Sequence, residues 1–127
     1  MKSVTSRIQL NMKRLQQLDR AKITALEQTA EALHTDLVQS QTMPFRTGNL
    51  QNESTFVDYS DSAQGHVEIV SSTPYARRLY FHPEYHFSTD ENPHAGGEWF
   101  APYLSGGEKQ DFAKKAFRAL YRKEAGL

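Results

Sequence analysis

The chain has 127 residues, and fifteen Lys and Arg balance fifteen Asp and Glu, so its formal charge is zero. That length suits a single domain over residues 1–127, large enough for one core without covalent staples. The lack of cysteine excludes a disulfide scaffold, a thiol nucleophile and a thiolate metal site, and neutrality argues against a dedicated nucleic-acid binder.

The zero hides a polarity along the chain. Residues 1–22 hold six basic groups and one acid, whereas 23–68 hold seven acids and only Arg46. Residues 108–127 return to six bases against three acids. Basic ends around an acidic middle suit contact between neighbouring copies. The opening MKSVTSRIQLNMKRLQQL has no apolar run like a secretory signal, and no segment approaches a membrane span. A soluble chain with no membrane partner is therefore expected.

The first forty residues read as helix. Ile8, Met12, Leu15, Ile23, Leu26, Ala30, Leu33 and Leu37 fall within a stripe about 80° wide, interrupted only by Asp19 and Lys22. With no Gly or Pro before Pro44, a helix over 6–39 would run about 50 Å. A globule of this size is only about 36 Å across. Either the helix bends near Asp19, or its basic start, within residues 1–24, projects as an extension.

Pro44 stops that helix, and Thr47, Gly48 and Asn49 supply a turn. Residues 50–59 read as a strand, with Thr55, Phe56, Val57 and Tyr59 as β-formers. Residues 66–70 alternate, putting Val67 and Ile69 on one face and His66 and Glu68 on the other. An antiparallel hairpin with a connection over 60–65 follows. Thr73 and Pro74 then start a short helix as cap and first turn. Residues 82–97 form a long loop, and 98–104 an apolar cluster for the core. A last helix is predicted over 108–124, burying Phe112, Ala113, Ala116, Phe117 and Leu120. The expected fold is α+β, with a long N-terminal helix and a C-terminal helix packed on a small antiparallel sheet.

Catalytic patterns are weak. His82, His86, Asp90 and His94 recur every fourth residue beside Glu84 and Glu91, a donor set that zinc accepts. Pro83 and Pro93 deny that stretch a continuous helix, so the spacing loses its geometric meaning. His82, His86 and His94 remain metal candidates only for the second alternative reading, a metal-dependent hydrolase. No nucleophile elbow accompanies any serine. The acid pairs Asp58/Asp61 and Asp90/Glu91 fall in turns, where solvation explains them. Arg77 and Arg78 beside Tyr75 and Tyr80, and Lys114, Lys115, Arg118 and Arg122 on one helical face, are candidate contact groups. The plain reading is a solvated helix face; beyond it they serve a neighbouring subunit or, in the first alternative function, DNA. The acidic middle favours the subunit.

Several motifs in register resemble the minor capsid (head–tail joining, tail-completion) proteins of tailed bacteriophages. They are Pro44-Phe45-Arg46-Thr47-Gly48-Asn49-Leu50 after the long helix and Ser72-Thr73-Pro74-Tyr75-Ala76-Arg77-Arg78-Leu79-Tyr80 after the hairpin. His82-Pro83-Glu84-Tyr85, Asn92-Pro93-His94-Ala95-Gly96-Gly97, Glu98-Trp99-Phe100 and Phe112-Ala113-Lys114-Lys115-Ala116-Phe117 continue it, over about residues 25–120. The resemblance implies a non-enzymatic virion component, assembled in the host bacterial cytoplasm as a homo-oligomeric ring of the neck. Its partners would be copies of itself and adjacent neck or tail proteins, with transient DNA contact as the alternative. No cofactor and no small-molecule substrate are expected. Pro44, Thr47, Gly48, Leu50, Pro74, Tyr75, Ala76, Tyr80, Trp99 and Phe100 would play structural parts. Gly48 would meet a positive φ, Ala76 would allow close approach, Tyr75 and Tyr80 would supply packing area, and Trp99 and Phe100 would anchor the loop.

Overall fold

A computed structural model describes residues 7–44 and 55–127. Helix α1 (Met12–Gln39) starts where the Asn11 side chain accepts the Arg14 N–H at 3.0 Å. That cap places the first turn several residues after the predicted start, and Ile8 lies outside the helix. At the other end Ser40 donates to the Asp36 carbonyl at 2.9 Å, and Gln41 turns the chain with a φ of 57°. Between these points one α-helix runs through Asp19, about 42 Å long.

Strands β1 (Thr55–Asp58) and β2 (Glu68–Ser71) pair antiparallel, with Phe56 opposite Val70 and Asp58 opposite Glu68. The predicted beginning of β1, residues 50–54, lies outside the described residues. The connection is longer than predicted and β2 begins later. The His66 N–H bonds the Asp61 carbonyl at 3.2 Å, and this turn keeps His66 out of the ladder. Helix α2 (Pro74–Tyr80) has the predicted cap, the Thr73 hydroxyl accepting the Ala76 N–H at 3.1 Å.

Helix α3 (Phe112–Ala125) starts later than position 108. Residues 101–111 are wound into turns, with the Lys109 N–H on the Pro102 carbonyl at 2.7 Å. A Cβ at Gly107 would stand 2.4 Å from the Ala101 and Pro102 carbonyl oxygens, so this winding requires glycine. The architecture is α+β, and α1 packs along α3.

The packing uses a face of α1 that the apolar stripe does not include. Ala21, Ala25 and Thr29 are buried, on the side of α1 that carries Gln28 and Asp36. Gln28 bonds Glu124, while Asp36 bonds Tyr103 and Lys109, so α3 lies antiparallel on this side. Small side chains let the helices approach closely, and Ala125 at the end of α3 is fully buried. The predicted stripe lies about 120° around the helix. Its Leu37 joins Met43, Ala76, Leu79 and Trp99 in a second core, flanked by Tyr80, Phe87, Phe100 and Tyr103. Of the residues predicted to be buried on α3, Phe112, Ala116, Phe117 and Leu120 are half-buried and Ala113 is exposed, because the first turn of α3 leans on the Tyr103 ring through Phe112 at 6.0 Å. Leu104, from the predicted apolar cluster, is exposed as well.

Candidate functional site

The motif residues divide into a pinned interior and an open surface. Pro44 is half-buried, whereas Thr47, Gly48 and Leu50 lie outside the described residues. Ala76 is fully buried, and Trp99 donates its indole N–H to Ser71 Oγ at 3.3 Å. Ser71 also shares a 2.8 Å hydrogen bond with the buried Thr55 hydroxyl, so the tryptophan ties the loop to the hairpin. Tyr80 meets Trp99 and Phe81 edge-on at 4.9 and 5.1 Å, and Phe100 at 5.7 Å. Burial, with the Glu98 charge second, pushes the Tyr80 phenol above its ordinary value. Tyr75 departs from its expected packing part. It is 52% exposed, because the α2 face that meets the core is Ala76 and Leu79.

The long loop is fastened rather than free. The buried Asn92 side chain donates to the Met43 carbonyl at 2.7 Å, and the Gly96 N–H bonds Thr42 at 3.0 Å. Gly97 passes so close to α2 that a Cβ would stand 2.9 Å from the Leu79 and Tyr80 carbonyl oxygens. The loop histidines are not brought together. His82 donates to Glu84 at 2.8 Å and stacks on Tyr85 at 4.7 Å, while His86 and His94 are exposed. The His82 bond holds the Glu84 carboxyl below its ordinary value. Among the described residues no three His, Asp or Glu side chains converge as a metal set.

Arg77 and Arg78 border an open hollow with Pro74, Phe81 and His82, and the Arg78 guanidinium lies 5.9 Å from the Tyr85 ring centre. Lys114, Lys115, Arg118 and Arg122 are all exposed on α3, as the sequence pattern predicts.

Asp36, Tyr103 and Lys109 form a cluster that sequence reasoning missed. The Tyr103 hydroxyl and the Lys109 ammonium both donate to Asp36 Oδ2, at 2.6 and 2.8 Å. The Lys109 and Tyr103 bonds hold the Asp36 carboxyl below its ordinary value, against its partial burial. Burial first, then the bond to Asp36, pushes the Tyr103 phenol well above its ordinary range. No sequence signal links three residues so far apart in the chain. The arrangement pins the turn before α3 onto α1.

Exposed apolar side chains also gather at two further places among the described residues. Leading into α1 and in its first turns, Ile8, Leu10, Met12 and Leu15 are 90, 68, 57 and 45% exposed, and no residue in 7–20 is buried. On the hairpin, Phe56 and Tyr59 are exposed beside acids. Ser60 donates its N–H to Asp58 at 2.9 Å and keeps that carboxyl below its ordinary value. Glu68, bonded to His66 at 2.8 Å, raises the imidazole, helped by Asp61 and Asp58. No family model, no curated protein and no solved structure matches the chain.

Proposed function

We propose that this protein is a non-enzymatic structural component of a tailed phage or prophage virion, of the minor capsid or head–tail joining kind. In this reading it assembles as a homo-oligomeric ring in the neck and contacts adjacent neck or tail proteins. Assembly takes place in the host bacterial cytoplasm. The observation that carries the reading is the uncovered apolar start of α1. A helix whose stripe continues past the end of its intramolecular partner presents surface suited to another molecule. The pinned interior fits the same role, since Trp99, Asn92 and Gly97 tie the motif loop to the hairpin, to Met43 and to α2. Among the described residues no helix is long and apolar enough to cross a membrane.

The test is assembly. The full chain is examined by light scattering and electron microscopy, alone and with the neck and tail proteins encoded beside it. Rings, or a defined complex with a neck protein, are the expected result. A strict monomer that ignores those neighbours overturns the reading. The exposed basic row of α3 gives a second reading, DNA contact, its own check. A gel shift that weakens steeply with salt would favour it.

A further inference from the structure

We infer that residues 7–15 of one protomer, the segment leading into α1 and the first turn of that helix, dock on the outer face of the β1–β2 hairpin of a second copy. The inference rests on the assembly reading and names the two surfaces that would join. Antiparallel register sorts the hairpin by face. Thr55, Val57, Ile69 and Ser71 share the side with the buried Thr55 and the Trp99 contact. Phe56, Asp58, Glu68 and Val70 share the other side, where Phe56 is 41% exposed. That outer face is an apolar pair, Phe56 and Val70, next to two carboxylates directly opposite each other.

Like charges facing across a sheet repel, and a cationic partner would relieve them. Among the described residues His66 bonds Glu68 and its charge bears more weakly on Asp58, whose bonded partner is the Ser60 N–H, so no Lys or Arg meets either carboxylate. The start of α1 has the matching chemistry. Ile8, Leu10, Met12 and Leu15 are exposed among Arg7, Lys13 and Arg14. Among the described residues the Arg14 guanidinium bonds Gln17 and, like Arg7 and Lys13, forms no ion pair. The hollow beside α2 is a poorer receiver, since Arg77 and Arg78 would repel the same basic segment.

Helix start and hairpin are different patches, so the contact is head-to-tail. Repetition of such a contact closes a ring or continues as a filament. A second copy is the occupant on two grounds. Acid meets base and apolar meets apolar, and each protomer carries both halves.

The experiment uses two surface variants of the full chain, Leu15→Glu on α1 and Phe56→Lys on the hairpin, followed by sedimentation. Each variant alone should lose oligomers, its self-association weakened about tenfold or more. Mixed in equal amounts, the two retain one intact helix start and one intact hairpin. They should form a dimer that grows no further. Lys13→Glu with Arg14→Glu should weaken assembly similarly, and Asp58→Lys with Glu68→Lys on the partner should restore it. Circular dichroism and melting must match the unmodified chain, which both exposed positions permit.

Oligomers that survive both lesions overturn the inference and leave the neck-protein reading standing. So does a monomer that still binds a neck protein. A monomer that binds neither itself nor those proteins overturns both.

Discussion

The two ends of α1 carry the same kind of sequence and meet different fates. From Ala21 onward the helix is clamped, with α3 along its small-residue side and the Trp99 core against Leu37. Before Ala21 the apolar residues continue at the same period, and none is buried. Periodicity thus reports where apolar side chains line up, and only a covering element turns that line into a core. α3 is 14 residues long and spans about 21 Å, roughly half the length of α1. The uncovered end follows from that difference in length.

The sharpest way to break the contrast is at its covered end. Leu37 is 1% exposed, in contact with the Trp99 cluster, so Leu37→Ala leaves a cavity there. Unfolding in urea should show a loss of about 2–5 kcal/mol. The small-residue side can be tested in the opposite sense, by adding volume. Ala25 has no exposed surface where α3 crosses, so Ala25→Leu forces the helices apart. A destabilisation of about 1–3 kcal/mol is expected. A neutral result would mean that the crossing is loose.

The pin at Asp36 is the next step down. Tyr103→Phe removes the 2.6 Å hydrogen bond and should cost about 1–2 kcal/mol at neutral pH. The pH profile supplies a sign as well as a size. The folded Asp36 carboxyl is depressed, so its contribution is present above about pH 4, the unfolded value, and fades as pH falls through the folded value. The folded Tyr103 phenol is raised, so its contribution is present below about pH 10 and fades as pH rises toward the folded value. Melting temperatures of the Phe variant should therefore lose part of both the acid and the alkaline slope. A profile unchanged at both ends would show that the trio does not bear on folding.

Much of this arrangement was legible in the residues, and the gaps have physical reasons. The Thr73 cap, the Pro74 first turn, the hairpin and the burial of Trp99 each depend on neighbours close in sequence, where local chemistry decides. The side of α1 that carries Ala21, Ala25 and Thr29 was missed because small residues contribute little to an apolar pattern. Their value lies in the approach they permit. The Asp36, Tyr103 and Lys109 cluster was missed because it is purely tertiary. The spacing of the loop histidines suggested a set that the backbone does not assemble, since the prolines let each ring find its own surroundings. Of the motif surface, Tyr75 reads as a packing residue, yet the short α2 turns only Ala76 and Leu79 fully inward.

The smallest effect is the most informative about the exposed end. Leu15→Ala removes as many side-chain atoms as Leu37→Ala, at the same stripe and in the same helix. Leu15 is 45% exposed against 1% for Leu37, so the monomer has little to lose there. Urea unfolding at a concentration where the chain is monomeric should move by no more than about 0.5 kcal/mol. A loss near that of Leu37→Ala would mean that the start of α1 is covered within its own chain, and the two ends would no longer differ. A silent substitution that nevertheless lowers the sedimentation coefficient at high concentration separates folding from assembly, because the same methyl groups would then matter only between molecules.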